Sequence, residues 1–327
     1  MKRKLGRSGI EVSAMGMGCW AIGGPFWSGD TPHGWGEVDD EESIRAVHTC
    51  IDAGINFFDT ANVYGAGHSE RVLARAFKDR RDQVVIATKF GNTFNEETKQ
   101  TTGSDATPEG IRNACEDSLR RLNTDYIDLY QFHINGYPVD EAGEVRDILE
   151  NLVKEGKIRT YGWSTDSPDR AQFFAKGRNC SAIQLQLNVL DDNPEVIAIC
   201  EDNDLAAINR GPLAMGLLTG KYKPGVKLGD DDVRGTRSPE WMQYFKDGEP
   251  TPAWMKKVSA VRDILTSGGR TLAQGALAWL WARSPKTIPI PGIRTVAQAK
   301  ENSKAMEFGP LSSAQLAEIA QILKAEK

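Results

Sequence analysis

Four side chains with complementary acid–base chemistry stand close to the ends of three successive short apolar segments. Asp59 and Lys89 end the first two segments, His133 follows the third, and Tyr64 comes shortly after the acid. A carboxylate, an ammonium, an imidazole and a phenol together can donate, accept and orient protons. Each residue alone is as easily explained by packing or by a surface salt bridge, but their shared position favours an active site.

These groups can act together only if the chain brings the three segments side by side. Short apolar runs alternate with amphipathic segments, which predicts about eight strand–helix units. This alternation favours an α/β fold with a parallel sheet, and eight units favour a closed (β/α)8 TIM barrel. Adjacent strands then lie about 5 Å apart and active groups sit at the strand ends. The predicted strands span residues 14–19, 55–59, 83–89, 126–132, 157–164, 182–187, 205–209 and 287–290.

The predicted fold is a single domain over residues 1–327 with two additions to the barrel. A β-hairpin over 2–14 precedes the first barrel strand, and long loops lie on the catalytic face, the longest being a Gly-, Pro- and charge-rich stretch over 211–269. The alternative, a doubly wound sheet, would carry a GxGxxG phosphate loop after its first strand, and the glycines within 16–24 do not fit that pattern. Helices are predicted over 40–53, 69–77, 107–122, 143–155, 169–175, 194–203, 272–283, 296–305 and 313–324.

Composition narrows the class of protein. A formal net charge of -5 argues against a nucleic-acid binder. The sequence has no run of about 18 apolar residues, so no membrane span is predicted. The N-terminus carries no apolar segment typical of a signal peptide. The five cysteines are dispersed without a CxxC pair, which predicts reduced thiols in a cytoplasmic protein and no metal site.

The surroundings of the four side chains resemble a known family. The run over 56–70 holds Asp59, Tyr64-Gly65 and Gly67-His68-Ser69-Glu70, and it is similar to the signature of the aldo-keto reductases. Lys89 and His133, with the residues before them, resemble the family's other two catalytic positions. The resemblance extends over nearly the whole chain. It implies a (β/α)8 barrel that uses NADP(H) to reduce an aldehyde or ketone to an alcohol.

The resemblance also implies a role for each of the four residues. Tyr64 donates the proton that the carbonyl oxygen needs as hydride arrives from the cofactor. Because a free phenol has a pKa near 10, we expect Lys89 to lower that pKa, with Asp59 holding the ammonium in place. His133 is expected to hydrogen-bond the carbonyl oxygen and fix its position.

The nicotinamide end of the cofactor is expected beside the fifth, sixth and seventh strands. Ser164, Thr165 and Gln184 resemble the residues that contact the carboxamide, although the family usually has Asn where Thr165 stands. Arg210 falls where many members stack an aromatic ring on the nicotinamide, and a guanidinium can stack too. Trp20 is assigned to the same cofactor site.

Two later segments resemble the phosphate-binding parts of the family. The pyrophosphate loop follows the seventh strand, where glycines allow close approach of the backbone to phosphate and a lysine adds charge. Its assigned residues are Gly211, Pro212, Leu213, Gly216 and Lys221. The 2′-phosphate and adenine site follows the eighth strand, and an arginine at a helix N-terminus favours NADP(H) over NAD(H). Its assigned residues are Gly292, Arg294, Gln298, Glu301 and Asn302.

Aromatic residues of the catalytic-face loops are expected to form the substrate pocket. We assign Trp27, Trp35 and Tyr137 to its wall, although plain packing under the loops explains these residues equally well. Four aromatic residues in the long stretch over 211–269 are expected to form either a lid over the cofactor or a helix with aromatic packing. They are Trp241, Tyr244, Phe245 and Trp254.

Two other functions fit parts of the pattern. A barrel lyase would use Lys89 as a Schiff-base nucleophile and would need neither nicotinamide nor Arg294. A nicotinamide-binding regulatory subunit with low turnover, like the potassium-channel β subunits of this fold, would keep the cofactor site. The carbonyl substrate, the direction of the reaction and the oligomeric state stay open at this point.

Overall fold

A computed structural model describes residues 1–223, 225 and 227–326 of the chain. Its main feature is an eight-stranded parallel sheet in the order β16-β13-β12-β11-β10-β7-β6-β3. The strands are β1 (Lys2–Lys4), β2 (Glu11–Ser13), β3 (Met17–Gly18), β4 (Trp27–Ser28), β5 (Thr31–Pro32), β6 (Phe57–Asp59), β7 (Val85–Phe90), β8 (Asn92–Asn95), β9 (Gln100–Ser104), β10 (Ile127–Phe132), β11 (Ile158–Ser164), β12 (Cys180–Gln186), β13 (Ala206–Arg210), β14 (Phe245–Lys246), β15 (Glu249–Pro250) and β16 (Thr287–Pro289). The predicted (β/α)8 barrel is confirmed, with strand ends that differ from the predictions by a few residues.

The sheet closes where its first and last strands meet. The Gly16 amide donates to the Pro289 carbonyl over 2.9 Å, and the Gly18 amide donates to Pro291 over 2.9 Å. A Cβ atom at Gly18 would lie 2.5 Å from the backbone oxygen of Ile290. The glycines near the first strand therefore serve barrel closure, because only a residue without a side chain lets the backbones approach this closely.

Helices cover the outside of the sheet, and several begin at side-chain caps. The Thr107 hydroxyl accepts from the amide of Gly110, with Pro108 in the first turn, and Thr271 and Gln274 form a capping box. The helices are α1 (Asp40–Asp52), α2 (His68–Ala76), α3 (Pro108–Leu122), α4 (Ala142–Lys154), α5 (Pro168–Ala175), α6 (Pro194–Asp202), α7 (Pro252–Thr266), α8 (Leu272–Arg283), α9 (Val296–Phe308) and α10 (Ser313–Ala325). Short 3₁₀ turns lie at Gly6–Ser8, Trp20–Ile22, Arg81–Gln83, Ala214–Thr219 and Ser267–Gly269.

The N-terminal hairpin, formed by antiparallel β1 and β2, plugs the amino-terminal end of the barrel. Its segment contributes Leu5, Ile10 and Val12 to one apolar cluster with inward-facing residues of the strands. Those barrel members are Phe57, Val85, Ala87, Leu129, Ala182, Ala206, Ile208, Ile288 and Ile290. The cluster fills the lower lumen, so a ligand can enter only from the opposite, carboxyl end of the strands.

Strand alternation sets which polar groups stand above this cluster. Side chains two residues apart on a strand point to the same face. Asp59, Lys89, Gln131 and Gln184 each lie two residues beyond a member of the apolar cluster and are all buried. The parallel register places Gln131 directly opposite Lys89. Four polar side chains of the lumen therefore form a second layer above the apolar one.

A small sheet on the catalytic face was not predicted. Strands β4 and β5, from the loop after β3, join β8 and β9, from the loop after β7, in the order β5-β4-β9-β8. Another hairpin, β14 and β15, and the helix α7 lie within the long 211–269 stretch. The catalytic-face loops are thus more structured than the sequence pattern indicates.

Candidate active site

A cavity of about 1180 Å³ opens at the carboxyl ends of the barrel strands. Asp59, Tyr64 and His133 lie in its wall at one end, and the same cavity reaches Lys221 and Arg294. Small-molecule pockets commonly occupy about 300–1,000 Å³. The cavity therefore has room for an extended ligand together with a second, smaller one.

The Lys89 ammonium lies beneath the cavity with a full set of acceptors. Its Nζ atom donates to Asp59 Oδ1 over 2.5 Å, to the Thr60 carbonyl over 2.8 Å and to the Tyr64 hydroxyl over 3.4 Å. Burial lowers the pKa of Lys89, but the charge of Asp59 and the bonds to Asp59 and Tyr64 outweigh it and raise that pKa above its ordinary value. The ammonium is therefore charged and aimed at the phenol.

Two amides, from Gln131 and Gln184, hold the second oxygen of the carboxylate. Gln131 Nε2 donates to Asp59 Oδ2 over 2.9 Å, and Gln184 Nε2 donates to the same atom over 2.8 Å. Gln184 Nε2 also donates to Gln131 Oε1 over 3.1 Å. Gln131 was not predicted as a site residue, although its position two residues before His133 on the same strand face could have indicated it.

The pKa of Tyr64 departs from the expectation. Burial of the phenol raises its pKa, the charge of Lys89 lowers it, and Asp59 raises it again, with a net increase above the ordinary value. The expected lowering by Lys89 is present, but desolvation of the phenolate is the larger effect, so the pKa of Tyr64 is raised. Tyr64 is held as a neutral proton donor.

His133 faces Tyr64 across the same end of the cavity. Their ring centroids lie 6.0 Å apart with the planes nearly perpendicular. Burial lowers the pKa of His133 well below its ordinary value, and the charges of Lys89 and Arg210 lower it further, so the imidazole is neutral. Its buried Nδ1 has no hydrogen-bond partner among the described residues.

Aromatic rings extend from Tyr64 towards the cavity mouth. The Trp20 ring is stacked on Tyr64 at a centroid distance of 5.9 Å, meets Trp35 edge-on at 5.3 Å, and lies 6.3 Å from Trp241. Trp241 is 53% exposed. The cavity wall beside the phenol is therefore apolar on this side.

The far end of the cavity carries three cations, Lys221, Arg234 and Arg294. Arg234 is paired with Asp232 through bonds of 2.8 and 2.6 Å, and its guanidinium lies 4.4 Å from the centre of the Trp35 ring. No carboxylate lies within ion-pair distance of Lys221 or Arg294 in the part of the chain that the structure describes. Desolvation, then the charges of Arg234 and Arg294, lower the pKa of Lys221. Positive charge is thus in excess here, which fits a phosphate.

The loop between Arg210 and Lys221 turns at several residues of positive φ. Met215 and Gly216 have φ of 56° and 92°, and Gly211 has a φ of 61°. The Ala214 and Gly216 amides donate to the Gly211 and Leu213 carbonyls within the loop. The cavity reaches this loop at Gly211, Pro212, Leu213 and Gly216.

A family model described as the aldo/keto reductase family matches residues 14–324. The chain belongs to the aldo/keto reductase family. The aldo-keto reductase YhdN of Bacillus subtilis is 32% identical over 307 residues, 91% of this chain and 86% of that protein. The aldo-keto reductase yakc [NADP(+)] of Schizosaccharomyces pombe is 31% identical over 331 residues, 98% and 90% of the two chains. The solved glycerol dehydrogenase AKR11B4 from Gluconobacter oxydans has a TM-score of 0.80 at 29% identity, covering 97% of this chain and 93% of its own.

Most residues assigned to the cofactor of this aldo/keto reductase border this cavity. At the catalytic end they are Trp20, Ser164, Gln184 and Arg210, and towards the cations they are Gly211, Pro212, Leu213, Gly216, Lys221, Gly292, Arg294 and Gln298. Trp35, assigned to the substrate pocket, also borders it. Arg234 was missed, because it lies in the long 211–269 stretch where the sequence shows no motif.

Five of the residues assigned to the cofactor and substrate sites do not border the cavity. The hydroxyl of buried Thr165 accepts from the Ser167 amide. Glu301 and Asn302 lie one turn further along α9 than Gln298. Trp27 pairs within the small sheet, and Tyr137 packs edge-on against Phe132. Trp27 and Tyr137 therefore lie outside the wall of this cavity, and their assignment to the substrate pocket stays a prediction. Of the four expected lid aromatics, only Trp241 is exposed, since Tyr244 and Phe245 are buried and Trp254 packs on Tyr244.

Arg210 and the start of α9 also differ from expectation. The Arg210 guanidinium is ion-paired with Asp166 and donates to Gln186 Oε1 over 3.0 Å, so it is held at the cavity wall. The Val296 amide at the start of α9 donates to Glu42 Oε1 over 2.8 Å. The Glu42 carboxylate thus already accepts from the amide at the start of this helix. The positive charge available for a phosphate therefore comes from Lys221, Arg234 and Arg294.

The described part of the chain holds neither a cluster of metal ligands nor a membrane-spanning helix. Within the described ranges, no group of three or more His, Cys, Asp and Glu side chains is placed to hold a metal ion. The helices described here include none long and apolar enough to cross a membrane.

Proposed function

We propose that this aldo/keto reductase uses NADP(H) to reduce an aldehyde or ketone reversibly to an alcohol, with Tyr64 as the proton donor. The observation that carries the proposal is the contact of 3.4 Å between Tyr64 and Lys89, in a cavity that also reaches the three cations. A phenol beside a fixed ammonium is an acid that can protonate a developing alkoxide.

The chain's own groups supply the acid and the orientation. Asp59 fixes the Lys89 ammonium, which stabilises negative charge on the Tyr64 oxygen after its proton leaves. Neutral His133 offers an N–H donor to the carbonyl oxygen without adding a charge that would compete with Lys89. The cofactor, when bound, supplies the hydride.

The cavity fits a dinucleotide phosphate along its length. Ser164, Gln184 and Arg210 would hold the nicotinamide end, the backbone over 211–216 would hold the pyrophosphate, and Lys221 and Arg294 would hold the 2′-phosphate. The excess of positive charge at that last end supports NADP(H) over NAD(H). The Schizosaccharomyces pombe relative, named for NADP(+), supports the same choice.

The two alternatives are less well supported. A Schiff-base lyase needs a lysine with an accessible, neutral amine, whereas Lys89 is completely buried, paired with Asp59 and has a raised pKa. A regulatory subunit would not need the contacts that join all four catalytic groups. The five cysteines are free and buried, which supports a reducing, cytoplasmic location.

The test is NADPH oxidation by the purified protein across a panel of aldehydes and ketones. Tyr64→Phe removes the acid and should lower kcat by about 100-fold or more, with the dissociation constant of NADPH unchanged. Tyr126→Phe, far from the cavity at the start of β10, is the matched control and should keep full activity. Unchanged turnover in Tyr64→Phe would exclude Tyr64 as the donor.

A further inference from the structure

The side-chain amides of Gln131 and Gln184 make more hydrogen bonds than are needed to orient the Asp59 carboxylate. Asp59 Oδ2 accepts from both Gln131 and Gln184, while its Oδ1 accepts from Lys89. The exposed fractions of all four side chains are near zero. Buried polar groups are rarely left without a hydrogen-bond partner, so these contacts favour one arrangement of the layer.

Gln131 and Gln184 differ in their access to a ligand. Gln184 borders the cavity, whereas Gln131, in the same layer, does not border it and is 0% exposed. A ligand can therefore contact the Gln184 amide directly, but it can affect Gln131 only through Gln184 or Asp59. Gln131 is thus the member of the pair that holds the carboxylate without itself bordering the cavity.

The contacts of Gln184 fix which end of its amide faces a ligand. One N–H of Gln184 is bonded to Asp59 Oδ2 and the other to Gln131 Oε1. Both donors are therefore used inside the protein, and Gln184 Oε1 accepts no hydrogen bond from the described residues. The amide presents an acceptor to the cavity, which selects a ligand group that carries an N–H donor.

We propose that Gln131 is a positioning residue with two linked effects: it presents Gln184 Oε1 to the carboxamide N–H of the nicotinamide, and it holds Asp59 so that Lys89 stays aimed at Tyr64. This inference rests on the proposed function. It links recognition of the carboxamide to the strength of the acid, because both depend on the same amide. Neither effect requires Gln131 to touch substrate or cofactor.

The experiment compares two cofactors that differ only in the carboxamide. The 3-acetylpyridine analogue of NADPH keeps the carbonyl oxygen but has no N–H donor. Dissociation constants of both are measured by quenching of protein fluorescence, and kcat and KM are measured with one aldehyde from the panel. The wild-type protein should bind NADPH about tenfold more tightly than the analogue. The analogue cannot donate a hydrogen bond to Gln184 Oε1, and this acceptor then stays unpaired in the complex.

Two variants separate positioning from folding. Gln131→Met removes both the donor and the acceptor at similar volume, and Gln131→Leu removes both with a branched apolar side chain. Both should bring the ratio of the two dissociation constants close to one and lower kcat by about tenfold or more, with KM for the aldehyde little changed. Thr160→Val, which removes a buried hydroxyl lower in the barrel wall, is the control and should keep the wild-type ratio and kcat.

The outcomes distinguish this inference from the proposed function. A wild-type protein that neither binds NADPH nor oxidises it with any carbonyl overturns both. A functional wild type whose ratio and kcat survive in either folded variant overturns the role of Gln131 alone. A loss of kcat with the wild-type cofactor ratio also contradicts the proposal, because it removes the link between the two effects.

Discussion

The Lys89 ammonium donates to the Tyr64 hydroxyl over 3.4 Å, yet the pKa of that phenol is raised. Burial of the phenol outweighs the nearby positive charge, so the ammonium does not make a phenolate at rest. Its stabilising effect is realised as the proton leaves and negative charge grows on the tyrosine oxygen. An interaction that strengthens towards the transition state accelerates a reaction more than one already present in the ground state.

The pH dependence of carbonyl reduction follows from these shifts. Tyr64 acts in its protonated form, so a pKa raised above 10.0 keeps the acid present through neutral and mildly alkaline pH. His133 acts in its neutral form, so a pKa well below 6.5 keeps it neutral down to mildly acidic pH. We expect kcat/KM for reduction, at saturating NADPH, to be flat through neutral and mildly alkaline pH and to fall only where a phenol with a raised pKa ionises. A decline that begins near pH 8 would contradict the raised pKa of Tyr64.

The excess positive charge at the far end of the cavity predicts selectivity between the two nicotinamide cofactors. Arg294→Ala should raise the dissociation constant of NADPH by about 10- to 100-fold, the effect of a charged hydrogen bond, and that of NADH by less than threefold. Arg120→Ala, an exposed arginine on α3, is the control and should change neither constant. Fluorescence titration measures both, and equal changes for the two cofactors would place the 2′-phosphate elsewhere.

The sequence predicts this barrel well because alternation of strands and helices and the period-2 pattern of the strands are local signals. The same signals place Asp59, Lys89 and His133 at adjacent strand ends, since strand ends share one edge of a parallel barrel. Tyr64 is added by the resemblance to the family. The raised pKa of Tyr64 was not predicted, because it depends on how much water the fold removes from the phenol.

The parts that were missed depend on contacts between distant segments. The strands Asn92–Asn95 and Gln100–Ser104 are polar and short and pair with each other. Gln100–Ser104 also pairs with Trp27–Ser28, because two loops meet above the barrel. Arg234 reaches the cavity through its pair with Asp232 and its contact with Trp35. Neither feature has a periodic pattern that could have predicted it.

Closure of the barrel predicts a strong effect at one glycine. Gly18→Ala places a Cβ against the Ile290 carbonyl oxygen, a backbone atom that cannot turn away. We expect the free energy of unfolding to fall by about 1–3 kcal/mol or more, as for overpacking of a close contact. Gly143→Ala in α4, where nothing lies within 4 Å of the added Cβ, is the control and should be neutral or stabilising. Denaturant unfolding measures both, and equal stabilities would contradict the tight closure.

Exposed Trp241 predicts how the apolar side of the cavity contributes to substrate choice. Its ring lies 6.3 Å from Trp20, which in turn stacks on Tyr64, so a ring attached to the reacting carbonyl would lie against both indoles. Trp241→Ala should raise KM for an aromatic aldehyde by about tenfold, through lost aromatic contact and burial, and KM for a two- or three-carbon aldehyde by less than threefold. Trp241→Phe keeps an aromatic ring and should keep most of the discrimination. Equal changes in both KM values would place the substrate away from Trp241. A weaker affinity for NADPH alone would assign this indole to the cofactor, because only a ligand that covers the ring loses contact when the ring is removed.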